Sequence, residues 1–273
     1  MILRFKFFIL FAFLMLGGSS LAFAQATTPS PEKVSKKEAK RQAAESAKNP
    51  TAEQIAESTI LVYGNFGGRA LLNQIRKTSL ERGRISVVNA EGKTEQANYE
   101  RWVMRADTLD KERIRFEQEF PTAKYALVYN NDKIFGLFND SAFTPREDAS
   151  KSFENQIWHG LEGLLRYKEN GSTLTLGGRE KMLGVDLYQI DVTDKQNRKT
   201  RYYISSKTFR VMMLEYTEAD TKYLRRFYDY KIAQGTLYPF RSVLWANDKQ
   251  IEETEVQTIT FGQKVEENIF QAG

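Results

Sequence analysis

Cysteine is absent from this 273-residue chain, and histidine occurs once, at His159. The first absence excludes disulfides, thiolate nucleophiles, cysteine-ligated metals and lipid attachment through an N-terminal cysteine. The second excludes a histidine-rich metal centre and leaves a Ser-His-Asp triad a single imidazole to use. There is no Gly-x-Ser-x-Gly elbow and no phosphate-cradling glycine loop; Gly67-Gly68 and Gly177-Gly178 read as turns and kinks. Carboxylate pairs such as Glu252-Glu253 and Glu266-Glu267 are adjacent, so on strands each pair points to opposite faces and is poorly placed for acid–base work. The sequence therefore predicts no catalytic residue, no metal site and no cofactor. The longest apolar run, Phe7–Leu16, falls short of the ~20 residues that a membrane span needs.

That run reads as the core of a secretory signal over residues 1–24. Arg4 and Lys6 give it a positive start, and Ala22-Phe23-Ala24 offers a small-x-small cleavage site before Gln25. Residues 25–50 show no apolar periodicity and read as a flexible basic tether. Of the net charge of +5, the signal supplies two and the tether three, so residues 51–273 balance. Nucleic-acid binding is disfavoured on that ground. The expected location is the periplasm, reached across the inner membrane after signal cleavage.

What the sequence has in quantity is alternation. In Arg113–Phe120, Ile114, Phe116 and Phe120 share one face, while Arg113, Arg115, Glu117 and Glu119 share the other. Tyr125–Tyr129, a turn at Asn130-Asn131-Asp132, and Ile134–Phe138 follow as a hairpin apolar on both faces. Further strands are predicted at Arg84–Val88 and Tyr99–Arg105, around Leu174–Gly178, and at Val185–Thr193 and Thr200–Ser205. Phe209–Thr217, Tyr223–Gln234, Tyr238–Ala246 and Glu253–Val265 complete the series, with Pro239 restricted to a strand start or an edge. Two helical regions interrupt it. Thr51-Ala52-Glu53-Gln54 is a capping box, followed by Ile55, Ala56, Ile60 and Leu61 as a buried stripe, a break at Gly64 and a second helix over Arg69–Ile75 with Leu71, Leu72 and Ile75 inward. Thr144-Pro145-Arg146-Glu147 reads as another start, and Phe153, Ile157, Trp158, Leu161, Leu164 and Leu165 recur at helical spacing to about Tyr167. Short turns between successive strands imply an antiparallel meander, and one sheet this long must curl.

The stretch Trp102-Val103-Met104-Arg105, the alternating strand after it, and Leu127-Val128-Tyr129-Asn130-Asn131-Asp132-Lys133-Ile134-Phe135 together resemble the LolA family of periplasmic lipoprotein carriers and its outer-membrane lipoprotein-sorting relatives. Tyr228-Asp229-Tyr230-Lys231, then Gly235 and Leu237-Tyr238-Pro239-Phe240, are similar to a recurring stretch in those relatives. The resemblance covers roughly the whole region after residue 50. It implies an α+β fold: a curled, unclosed antiparallel half-barrel of about eleven strands, with about three helices covering the concave face. It also implies a non-enzymatic carrier that shields lipoprotein acyl chains or another lipid. Such a carrier would act as a monomer between an inner-membrane donor complex and an outer-membrane acceptor. The family's lipid-anchored receptor branch does not fit a chain without cysteine.

The expected lipid-binding surface consists of Trp102, Met104, Ile114, Phe116, Leu127, Tyr129, Phe135, Leu137, Trp158, Leu161, Tyr188, Ile190, Met212 and Leu214. Burial of an acyl chain gains ~0.8 kcal/mol per CH₂, on the order of 10 kcal/mol for a chain of about sixteen carbons, so holding it needs no polar chemistry. Arg105 matches the family's lid-latching arginine, although Ala106 follows it where the family has proline. The other use of such a fold is a periplasmic sensor that binds lipid or lipoprotein and signals to a membrane partner.

Overall fold

The computed structural model describes residues 49–271 apart from Ala90, Asp140 and Leu183. The expected signal over 1–24, and the expected tether as far as residue 48, lie outside the described residues. One antiparallel sheet of thirteen strands carries the fold, two more than the sequence count. Its first six strands are β1 (Thr78–Val88), β2 (Thr94–Met104), β3 (Arg113–Glu119), β4 (Lys124–Asn130), β5 (Lys133–Phe138) and β6 (Ser141–Phe143). The remaining seven are β7 (Thr173–Met182), β8 (Val185–Thr193), β9 (Lys199–Ser205), β10 (Val211–Glu218), β11 (Thr221–Ala233), β12 (Thr236–Ala246) and β13 (Lys249–Phe261).

Each meander is consecutive, and the last strand pairs with the first, so the order runs from β6 through β1, then β13 through to β7. The sheet is a curled half-barrel that does not close, with β6 and β7 as its free edges. Tight hairpins follow from turn chemistry. Asn131-Asp132, Ala219-Asp220, Gln234-Gly235 and Asn247-Asp248 all have positive φ at both positions, the geometry of two-residue turns that match strand twist.

Among the described residues, four α-helices lie on the concave side: α1 (Ala52–Tyr63), α2 (Gly68–Ile75), α3 (Glu147–Trp158) and α4 (Leu161–Leu165). The topology forces the last two there. β6 and β7 are opposite edges, so the chain between them must cross the open face, and α3 and α4 are that crossing. Thr51 and Gln54 close the expected capping box on α1. The helix expected over 144–167 is in fact two. His159 ends α3, and Gly160 is extended. A side chain at Gly160 would meet the Gln156 carbonyl at 2.8 Å, so the break needs glycine. In α2 only Leu72 is buried; Leu71 is exposed and Ile75 half-buried, because an eight-residue helix presents one narrow stripe to the sheet.

Two apolar cores separate the helices from the sheet. The larger joins α1, α2 and α4 to β8–β12 through Ile55, Ile60, Tyr63, Leu72, Leu164, Leu165, Ile190, Tyr202 and Leu214. The smaller joins α3 to β1–β4 through Phe153, Ile157, Ile85, Tyr99, Ile114, Phe116, Leu127 and Tyr129. A third cluster lies on the convex face. There Ala126, Val128 and Leu137 are covered by Val265, Ile269 and Phe270 of the segment after β13, which is tied down by Asn130 donating to the Phe270 carbonyl at 3.0 Å. The hairpin β4–β5 is thus apolar on both faces because both faces are covered, one by α3 and one by this strap.

Local irregularities correct three expectations. The first strand begins at Thr78 rather than Arg84, since Gly83 lies inside it, opposite a bulge at Gln257 of β13. A Cβ at Gly83 would sit 2.1 Å from the Glu255 carbonyl oxygen, so no other residue lets β1 and β13 approach there. Pro239 lies inside β12, yet β13 pairs with β12 only from Arg241 onward, and on the β11 side the ladder is interrupted at Asp229, at φ +54, without a change of register. Finally, β7 carries a bulge between Leu176 and Gly178 and then Arg179, Glu180 and Lys181, while β6 is three exposed residues long.

Candidate functional site

Between the two concave cores lies a cavity of about 190 Å³. Its floor is the central seam of the sheet: Ile85, Tyr99, Arg101, Val103, Ile114 and Phe116 from β1–β3, with Phe227, Val256, Ile259 and Phe261 from β11 and β13. Gln156 and Ile157 of α3 and Leu161 and Glu162 of α4 roof it. Period-two alternation places Tyr99, Arg101 and Val103 on this face, with Arg105 continuing the row just past the strand.

The walls are ionic as well as apolar. Glu162 accepts from Arg76 Nη1 at 2.8 Å and is also paired with Arg105, tying α4 to the sheet. Arg76 spends its remaining donors on Thr236 Oγ1 (3.0 Å) and the Leu237 carbonyl (2.7 Å). Burial alone would push the Glu162 carboxyl up, but Arg105, Arg76 and Arg166 outweigh it and hold it below its usual range. Burial pulls the Arg105 guanidinium down, and Glu162 and Glu112 oppose that. Arg166, buried beside α4, pairs with Glu112 and donates to the Asp107 carbonyl at 3.1 Å. On the other side, Arg225 donates to Glu252 at 2.8 Å and Gln156 donates to the same carboxylate at 3.3 Å, tying α3 to β13. Glu81 accepts from the hydroxyls of Tyr99 (2.7 Å) and Tyr238. Burial, reinforced by that carboxylate, raises both phenols.

The expected lining residues are divided among five places. Ile114, Phe116 and Leu161 line the cavity. Leu127, Tyr129 and Trp158 sit in the α3 core, and Tyr188, Ile190 and Leu214 in the larger core. Trp102, Met104, Phe135 and Leu137 lie on the convex face under the C-terminal strap. They share a strand parity opposite to that of the cavity residues: Trp102 and Met104 alternate with Arg101 and Val103. Met212 packs with Leu187, Tyr203 and Met213, away from Val211 and Leu214, because β10 bulges between Val211 and Met213. Arg105 pairs with the carboxylate of Glu162 on α4. The ionic members of the wall, Arg76, Glu81, Arg101, Glu112, Glu162, Arg225 and Glu252, are not among the lining residues that the sequence predicts. The signal was present: with Arg105 facing in, period two sends Val103, Arg101 and Tyr99 in as well.

His159 is engaged within the fold. It is buried at the α3–α4 junction, its Nδ1 bonds Thr200 Oγ1 at 2.6 Å, and its ring stacks on Tyr216 at 4.0 Å. Burial, with Arg198 adding to it, pushes the imidazole down to about 4. No group of three or more potential metal ligands exists among the described residues.

No protein-family model matches the sequence, and no curated protein is similar to it. Solved structures do match the fold. A DUF1329 family protein from Desulfovibrio piger is 12% identical with a TM-score of 0.58, covering 81% of this chain and 97% of its own. A LolA superfamily protein from Nitrosomonas europaea is 12% identical with a TM-score of 0.56, again covering 81% and 97%. A domain assigned to outer membrane lipoprotein sorting, from Vibrio parahaemolyticus, is 13% identical with a TM-score of 0.50, covering 80% and 97%.

Proposed function

Starting from a LolA-like fold, we propose that this protein is a periplasmic, non-enzymatic carrier that holds the acyl chain of a lipoprotein or another lipid beneath its helical layer. The observation that supports it is the cavity at the seam, which is roofed by α3 and α4 alone and walled by Ile85, Val103, Ile114, Phe116, Phe227 and Ile259. At about 190 Å³ it is smaller than the ~300–1,000 Å³ of a typical ligand pocket. The structure is therefore read as the closed form, and a full acyl chain enters only as α3 lifts and the smaller core opens. That core supplies further apolar wall once opened.

Transfer in this reading needs no chemistry on the cargo. The carrier exchanges a lipid's contact with membrane for contact with its own apolar wall, each CH₂ contributing ~0.8 kcal/mol, and gives it up to a greasier acceptor. The test is native mass spectrometry of the protein purified from the periplasm. Co-purified lipid at about one per chain, released when the roof is opened by mild denaturant, is the expected result. Persistently empty protein, even after incubation with lipoprotein or phospholipid in detergent, rejects the reading.

A further inference from the structure

Two arginines of the cavity wall keep donors that the protein itself does not use. Arg101 and Arg105 flank Val103 along one face of the β2 row, and both line the cavity. Arg101 Nε and Arg105 Nη1 are buried, and among the described residues neither has a hydrogen-bond partner. The Arg105 side chain is only 9% exposed. A buried donor left unpaired costs ~1–3 kcal/mol, more when it is charged, so native cavities rarely keep one without a use.

The acceptors nearby are committed elsewhere. Glu81 takes two tyrosine hydroxyls, Glu162 takes Arg76 and the other Nη of Arg105, and Glu252 takes Arg225. Arg101 Nε and Arg105 Nη1 are thus left over as guanidinium donors on a wall that mixes ion pairs with apolar side chains. Phe116, on the neighbouring strand, lies with its ring centre 6.0 Å from the Arg101 guanidinium carbon. A planar fork of donors matches a carboxylate or phosphate with two bonds at once.

We propose that Arg101 and Arg105 form a subsite for the anionic end of a single-tailed amphiphile, a carboxylate or a phosphate, whose tail lies along Ile114 and Phe116. This rests on reading the cavity as an acyl-chain site and adds a polarity to it: the charged end sits innermost, at the seam. A cavity of about 190 Å³ accommodates that end and the first carbons, and the rest of the tail runs out beneath α3.

The experiment is calorimetric titration of the intact secreted chain with dodecanoate, dodecyl phosphate, dodecanol and inorganic phosphate, below micellar concentrations. One of the two anionic amphiphiles is expected to bind at least about ten-fold more tightly than dodecanol, equivalent to ~1.4 kcal/mol. Whichever anion wins identifies the headgroup as carboxylate or phosphate. Arg101→Gln, which breaks no ion pair, is expected to bring that ratio close to one, and Arg101→Lys to keep part of it. Dodecanol binding as tightly as both anions overturns the subsite while leaving the carrier reading intact. Inorganic phosphate binding as tightly as dodecyl phosphate overturns the role given to the tail. Failure of all three amphiphiles to bind removes the carrier reading and the subsite together.

Discussion

The two halves of the helical layer are secured by different means. Over β8–β12, the helices α1, α2 and α4 are sunk into a dry core, where Ile55, Ala56, Tyr63, Leu72, Leu164 and Leu165 are all fully buried. Over β1–β4, α3 inserts Phe153 and Ile157, lacks a side-chain cap at its first turn, and otherwise relies on polar ties. Those ties are Gln156 to Glu252 and Lys151 to Glu218, at 3.3 and 2.8 Å. A partly exposed ion pair such as Lys151–Glu218 contributes ~0–1 kcal/mol. One half is therefore foundation and the other is hatch. Opening of the cavity is expected at α3, about the extended Gly160.

The widest gap between the halves should appear on deleting the same atoms from each. Ile60→Ala in the foundation is expected to cost ~4 kcal/mol, and Ile157→Ala, beside the cavity, nearer ~2 kcal/mol, within the usual span for such truncations. Urea unfolding monitored by tryptophan fluorescence reads both; equal costs would erase the distinction. Acid offers the next handle, because His159 sits at the junction. Its folded value of about 4 lies below its ordinary 6.5, so the unfolded chain takes the proton first. The stability it contributes is complete above pH 6.5 and is lost as the pH falls to about 4. The loss is roughly 3 kcal/mol. Comparing urea midpoints of wild type and His159→Gln across that interval isolates it from the titrating carboxylates; parallel profiles would exclude His159 as the source.

A smaller effect is expected from Arg105→Leu, which removes one of the two ion pairs of Glu162, at the end of α4 that lines the cavity beside the Gly160 hinge. Release of a fluorescent acyl probe should quicken about ten-fold, or ~1.4 kcal/mol. Unaltered release would count against any fastening role. The smallest change is expected from Thr51→Ala. Loss of the α1 cap costs ~1 kcal/mol of global stability. Since α1 belongs to the foundation, probe release should stay as it was; accelerated release would move the hinge to the wrong side.

Much of this architecture could be read from alternation and turn chemistry. The capping box at Thr51, the meander and the crossing helices follow from patterns that local physics enforces. What escaped depended on parity and on bulges. Trp102 and Met104 are large and apolar, and size suggested the interior. Arg105 on the opposite parity already implied otherwise, and the strap carrying Phe270, which covers them, lies far along the chain. Met212 was turned away by an extra residue in β10 that no periodicity reveals. The ionic seam was missed for another reason. Arginines and glutamates on alternating strands normally face water, and only the roof above them shows that Arg101, Glu81 and Glu252 do not.

The free rims of the sheet have a consequence for life in a crowded compartment. Unpaired strand borders are templates on which other chains can stack, and a closed barrel avoids this by having none. Here the rims stay open but offer poor grip: β6 is too brief to seed a ladder, and β7 is kinked by Gly178 and studded with Arg179, Glu180 and Lys181. The protein thereby leaves its sheet unclosed without inviting amyloid-like self-association.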